Sequence, residues 1–282
     1  MITVQNLSFG YKKNKPLYRN LNLTLGVGSI YGLLGKNGAG KSTLLKNFTG
    51  LLFPTQGTLS VNGFRPKERW PSFLETIYFI PEEVYVPALS ITGYMNLFAP
   101  FYPAFNEDQF FSYLKQLDVT GNKKLNTLSF GQQKKFIIAF ALACNTKVLL
   151  LDEPTNGLDI PSKIKFRKLI SSVFRDDKMI FISTHQIRDL DNLIDQVIII
   201  DNGELLLHAS ITDIADKLCF KTVDQLPPGE AILYSEPSLK GYTIVAENKY
   251  NEDSKVNLEF LFNATTENPG LAKSLFTSQQ PT

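Results

Sequence analysis

Residues 29–42, SIYGLLGKNGAGKS, run a continuous apolar strand into a glycine-rich loop, and the TLLKNFTG that follows has a helical pattern. A strand with no apolar–polar alternation is covered on both faces, so it belongs inside a mainly parallel sheet. Gly35, Gly38 and Gly40 let the backbone curl until successive N–H groups converge, and a helix start behind them adds the positive end of its dipole. Strand, loop and helix in this order form a Walker A arrangement, a cradle for phosphate oxygens. Lys36, Asn37, Ala39 and Thr43 complete it, Lys41 reaches the β- and γ-phosphates, and the Ser42 hydroxyl is a ligand for Mg²⁺.

Other segments repeat the strand pattern. Continuous apolar runs recur at 76–80 (TIYFI), 148–152 (VLLLD), 179–184 (MIFIST) and 197–201 (VIIID), with helical stretches between several of them. They predict an α/β fold with helices on both faces of the sheet. Residues 2–9 and 17–25 alternate instead, as antiparallel strands with one wet face do. Between 84 and 127 Pro, Phe and Tyr crowd together, which predicts a small helical lobe reaching, with the helix after it, to about 145. After about 210, short alternating runs broken by PPG and NED predict a small α+β appendage. The expected division is a nucleotide-binding unit over 1–209 and an accessory unit over 210–282.

Composition excludes more than it assigns. A formal charge of +2 gives no electrostatic footprint for a polyanion, so no nucleic-acid partner is expected. The lysine groups at 12–15 (KKNK), 122–124 (NKK) and 163–168 (KIKFRK) read as solvated faces. Cys144 and Cys219 have neither metal-site spacing nor the number for a disulfide framework. The first residues alternate like a strand rather than a signal peptide. No apolar segment approaches the roughly 20 residues needed to span a bilayer. A cytoplasmic location is expected, with membrane association made through a partner.

Two further segments carry chemistry. VLLLDEP (148–154) delivers Asp152 and Glu153 at the carboxyl end of a buried strand, where open α/β sheets bind their ligands. Paired acids after a strand also start turns. Beside a phosphate loop, however, Asp152 is placed to hold Mg²⁺ and Glu153 to polarise a water in line with the γ-phosphate. In LSFGQQKK (128–135), Ser129 and Gln132 have capping-box spacing and start a helix, whose free N–H groups make an anion site.

Taken together, the chain resembles the ATP-binding subunit of ABC transporters, bacterial exporter-type ones in particular. The resemblance covers about 1–208 and rests on five motifs in family order: Walker A at 35–42, LSFGQ at 128–132, the segment through Glu153, NGLD at 156–159 and STH at 183–185. It implies a P-loop NTPase of RecA-like core with an antiparallel β subdomain and a helical subdomain, ATP and Mg²⁺ as cofactors, and ATP hydrolysis driving transport. It also implies two partners, a second nucleotide-binding subunit stacked head to tail and a transmembrane permease that keeps the chain on the cytoplasmic face of the membrane. Ser129, Gly131 and Gln132 would then face the nucleotide held by the other subunit. Tyr11 would stack on adenine, Asp159 would link the two sites, and His185 would bond the γ-phosphate; Lys41, Glu153 and His185 form the catalytic set.

Lys134 and Lys135 read as exposed, and His208 as incidental. The aromatics of 84–127 form either a permease-docking patch or the core of the lobe. A soluble nucleotide-gated clamp or regulator is the alternative class; relatives of that kind usually carry two such domains or a long coiled coil, and neither occurs here. An ordinary GTPase is disfavoured because N-K-x-D is missing. Two departures stand out: Phe130 replaces a glycine, and Glu82, followed by Glu83, replaces the glutamine that meets Mg²⁺ and the attacking water.

Overall fold

The computed structural model describes residues 1–12, 15–121, 123–190, 192–227 and 231–276. Lys13 and Asn14 of the first lysine group, Asn122 of the second, and two residues of PPG lie outside the described residues.

Twelve strands form three sheets among these residues. The first sheet pairs β1 (Ile2–Phe9) with β2 (Tyr18–Leu25) and β4 (Gln56–Val61), all antiparallel. The central sheet has β3 (Ser29–Leu34), β5 (Ile77–Ile80), β6 (Val148–Asp152), β7 (Met179–Thr184), β8 (Gln196–Asp201) and β9 (Glu204–Ser210) in the order β5-β6-β7-β3-β8-β9. Its pairs are parallel except β8–β9. The third, small sheet orders β10 (Leu218–Val223), β12 (Gly241–Glu247) and β11 (Ile232–Ser238).

The helices are α1 (Lys41–Phe48), α2 (Pro71–Leu74), α3 (Ile91–Phe98), α4 (Glu107–Gln116), α5 (Phe130–Ala143), α6 (Ile160–Val173), α7 (Ile211–Lys217), α8 (Leu258–Glu267) and α9 (Pro269–Phe276). The predicted α/β class and its strands are found, with β4, β9 and β10 added. Those three mix polar with apolar residues and are completed only by their partner strands.

Two hydrophobic clusters explain the unbroken apolar strands. Tyr31, Leu33, Leu150, Phe181 and Ile198 point to the cluster shared with α1 and the antiparallel sheet. Their neighbours Leu34, Leu149, Leu151, Ile182 and Ile199 point to the cluster shared with the helical lobe. Each strand thus buries alternate residues in different cores, and polar positions would have nowhere to go. Within the lobe, Tyr94, Phe110, Phe136 and Phe140 are buried and pack ring against ring, with Tyr94–Phe140 and Phe110–Phe140 edge-on at 5.0 and 5.7 Å. Leu97, Phe101 and Phe111 remain exposed. The aromatics therefore divide between core and surface.

Residues after 210 join the second of these clusters rather than forming one of their own. Leu233, Val245, Leu258 and Leu261 belong to it with Leu206 and Leu207 of β9. Ser210 ends β9 and caps α7, its hydroxyl accepting from Asp213 N at 2.9 Å, so strand runs into helix with no linker. Both cysteines are free and buried.

Candidate active site

Strand register sets the site. Leu34 of β3 lies opposite Thr184 of β7, and Asp152 of β6 lies opposite Ser183. The carboxyl ends of three neighbouring strands are therefore level, and each hands over to a motif: the glycine loop, Asp152–Glu153, and Thr184–His185.

The loop from 35 to 40 needs its glycines at two points in particular. A Cβ on Gly35 would stand 2.5 Å from the Ile200 carbonyl oxygen. Gly40 has φ 106°, left-handed backbone that favours glycine, and it begins α1 without any side-chain cap. The first-turn N–H groups of α1 are left for a ligand. Lys41 is buried and bends back into the loop, its Nζ donating to the carbonyls of Gly35 at 2.7 Å and Lys36 at 3.3 Å, with Glu153 Oε1 at 4.0 Å. Burial lowers its pKa from the ordinary lysine value, and the charges of Glu153, Asp152 and Glu82 oppose that shift. Tyr11 sits over the start of α1, its hydroxyl 2.9 Å from Thr43 Oγ1 and its ring edge-on to Phe9. It is 66% exposed, which leaves a ring face free for stacking.

Asp152 is buried and accepts a hydrogen bond from the Ser183 hydroxyl. Glu153 is the tightest point of the site. Its φ is 45°, a conformation uncommon outside glycine that holds only where surroundings enforce it. The enforcement is visible atom by atom. Glu153 N donates to Ser183 O at 3.0 Å. Its Oε1 accepts from His185 N at 2.9 Å and meets His185 Nδ1 at 2.8 Å, while Oε2 accepts from Thr184 Oγ1 at 3.0 Å. Its carbonyl accepts from Lys134 Nζ at 2.6 Å. His185 thus turns to Glu153 from a half-exposed position.

Lys134 corrects the sequence reading, which put it on the surface. It is 0% exposed, because it falls on the inward face of α5 with Phe136, Ile137 and Ile138 nearby in sequence and equally enclosed. Besides the Glu153 carbonyl it donates to the Glu82 carbonyl at 3.1 Å. Lys135 is only half-buried. The Glu82 side chain lies at the surface, where Asn156 Nδ2 donates to its Oε1 at 3.0 Å.

Asn156 opens a hydrogen-bonded chain that the sequence reading missed. Gln186 Nε2 donates to Asn156 Oδ1 at 3.0 Å, Lys163 Nζ donates to Gln186 Oε1 and Asp189 Oδ2, both at 2.7 Å, and Thr155 Oγ1 also donates to Asp189 Oδ2. These residues are far apart in sequence, so only the neighbouring polar types at 155–156 and 186–189 hinted at it.

The helix tip at Ser129 stands apart. Ser129 Oγ accepts from Gln132 N at 3.3 Å and Gln132 Oε1 accepts from Ser129 N at 3.4 Å, the predicted capping box. Both residues are exposed, and these polar contacts are with each other rather than with the glycine loop. A Cβ on Gly131 would lie 3.0 Å from the Gly157 carbonyl oxygen, and one on Gly157 would lie 2.7 Å from two Phe130 ring carbons. Phe130 is accommodated because its ring rests on that glycine. Asp159 caps α6, accepting from Ser162 N at 2.9 Å, and the Ser162 bonds hold its carboxyl below the usual range. His208 lies on β9 beside Tyr31, away from these strand ends.

The donors fit the groups the sequence implies. An uncapped helix start behind left-handed glycines suits a polyphosphate. Ser42, Asp152 and Glu82 offer hydroxyl and carboxylate oxygens, the hard donors Mg²⁺ takes. Among the described residues no three or more His, Cys, Asp and Glu side chains gather to hold a metal by themselves. No helix of the described residues is long and apolar enough to cross a membrane.

Comparison with known proteins agrees. The sequence pattern of the family described as ABC transporter matches residues 18–156. The uncharacterised ABC transporter ATP-binding protein YdbJ of Bacillus subtilis is 30% identical over 251 residues, covering 84% of this chain and 80% of that protein. The SkfA peptide export ATP-binding protein SkfE of the same organism is 31% identical, covering 73% and 87%. Among solved structures, a dimeric ATP-binding cassette, MJ0796, in a post-hydrolysis state with ADP and Pi superimposes with a TM-score of 0.66 at 25% identity, over 74% of this chain and 98% of that one.

Proposed function

Because the chain belongs to the ABC transporter ATP-binding proteins, whose business is the binding and hydrolysis of ATP, we propose that it powers a separate membrane permease by closing two copies of itself around ATP. Residues 1–209 do this work, and 210–282 are an accessory unit, of which Leu233, Val245, Leu258 and Leu261 share a core with them. The observation that carries the reading is the convergence of Lys41, Asp152, Glu153 and His185 at three level strand ends, opposite a glycine cradle.

In this reading the β- and γ-phosphates enter the cradle of Gly35, Lys36, Asn37, Gly38, Ala39 and Gly40 with Thr43 behind it. They draw Lys41 off the Gly35 and Lys36 carbonyls, since a phosphate is the stronger acceptor for an ammonium. Tyr11 stacks on the base. Ser42, Asp152 and Glu82 hold Mg²⁺, which supplies charge neutralisation at the transferred phosphoryl group. Ser129, Gly131 and Gln132 of the second copy close over the γ-phosphate, and Asp159 lies at the seam. As they close, His185 turns from Glu153 to the γ-phosphate. Glu153 Oε1, relieved of that contact, accepts the proton of the attacking water. Release of phosphate and ADP lets the copies part, so the dimer is the two-state element that nucleotide biases.

The permease side is supported by a cleft of about 680 Å³ between the central sheet and the lobe, lined by Leu74, Ile77, Phe79, Phe98, Phe101 and Tyr102. Apolar clefts of this kind mark sites of protein contact. Phe79 lies in β5, three residues before Glu82, so a permease segment seated there would press on the Glu82 loop. The chain would then lie on the cytoplasmic face of the membrane through its partner. Export is favoured by the likeness to a relative named for peptide export.

Glu153→Gln with ATP should give a stable dimer by light scattering and hydrolyse at least about 100-fold more slowly, within the range for loss of a general base. A variant that hydrolyses at the normal rate and stays monomeric removes Glu153 from this role.

A further inference from the structure

We propose that Lys134 is a positioning residue of the hydrolytic site: its buried ammonium ties the Glu82 loop and the Glu153 turn to the helix that begins at Ser129, and serves as internal counter-charge to the carboxylates gathered there. This rests on the reading of Glu153 as the base. Lys134 itself touches no reacting atom in that reading and acts through its neighbours.

The geometry is specific. One Nζ donates to the carbonyls of residues 52 and 19 positions away, at 3.1 and 2.6 Å, and so joins three motif segments with a single atom. The shorter bond ends on the residue whose φ of 45° has to be enforced. The Phe130 ring centroid is 5.7 Å from Nζ, and that ring rests on Gly157. Lys134 is therefore sealed between the Ser129 helix tip and the segment that follows Glu153.

A buried ammonium without a carboxylate in direct contact is unfavourable unless dipoles and charge nearby repay its lost hydration. Two carbonyls and an aromatic face supply the dipoles. The charge comes from Glu82, Glu153 and Asp152, whose fields all favour the charged form of both lysines: three carboxylates against Lys134 and Lys41. Removing Lys134 leaves a net excess of two negative charges where a γ-phosphate must bind, and frees the Glu153 carbonyl. Removing the Glu82 charge as well takes away part of that excess. Charge balance thus predicts that the two substitutions correct each other, whereas a lysine that only fills space predicts that they add.

The test is a double-mutant cycle on the full chain with Lys134→Met, Glu82→Gln and their combination, repeated with Lys134→Gln, whose side chain stays polar. Two readouts are taken: steady-state ATPase, and the urea midpoint without nucleotide. Lys134→Met should lower kcat about tenfold with KM for ATP within about threefold, the pattern of a lost transition-state arrangement. Adding Glu82→Gln should restore about threefold or more of that loss and raise the urea midpoint above that of Lys134→Met, a coupling of ordinary size for neighbouring groups. Additive effects in both readouts overturn the proposal, as does an unchanged kcat in Lys134→Met. If the unsubstituted chain has no ATPase activity, the proposed function fails; the urea cycle then decides the Lys134 coupling alone.

Discussion

Two helices bring their N-termini to the nucleotide motifs, and they end in opposite ways. Before α1 stands Gly40 in left-handed conformation with no side-chain cap, so the first-turn N–H groups lack an internal acceptor. Before α5 stands Ser129, whose capping box with Gln132 is already closed. The first end is incomplete without an anion. The second is satisfied in the chain as it stands, and exposed. In the proposed reading, the anion of the first end would be covered by the second end of another copy.

The comparison can be broken or sharpened by four substitutions. The largest effect is expected at the α1 end: Lys41→Ala should reduce ATPase by about 100-fold or more, in line with losing a preorganised charge at a developing oxyanion. A loss of less than about threefold in a steady-state assay would mean that the cradle is not the phosphate site. At the α5 end, Ser129→Ala should lower turnover by about tenfold, as loss of one phosphate donor does, while leaving nucleotide affinity of the separate chain unchanged. If titration with a fluorescent ATP analogue finds that affinity falling in step with turnover, Ser129 serves its own chain's nucleotide and the contrast fails.

A smaller, structural effect is expected one residue on. Phe130→Gly should cost about 1–2 kcal/mol in urea unfolding, because a half-buried ring is lost from Gly157 and backbone freedom is gained. No change in midpoint would show the ring to be idle. The smallest effect is at Glu82: Glu82→Gln should alter steady-state turnover a few-fold with ATP affinity inside the same few-fold range, one charge being removed beside the transferred group. An unchanged rate takes Glu82 out of the site.

The same contrast explains what the sequence disclosed. Local features were legible: the capping box is an i, i+3 pattern, and SIYGLL and VLLLD announce buried strands through their lack of alternation. The level alignment of Leu34, Asp152 and Thr184 was not legible as geometry, since register depends on strand order, but the motif order implied it. Lys134 was misread by its type. Its signal was positional: it stands four residues before Ile138 on a helix whose following turns are apolar, which places it inward. The pairing of Asn156 with Glu82, 74 residues apart, has no local signature at all.

The most direct test of the two-copy site is covalent. With Ser129→Cys, Asn37→Cys and Glu153→Gln in one chain, mild oxidation in the presence of ATP should yield a disulfide-linked dimer on a non-reducing gel, and oxidation without nucleotide should leave single chains. Bound ATP together with only single chains would contradict the account.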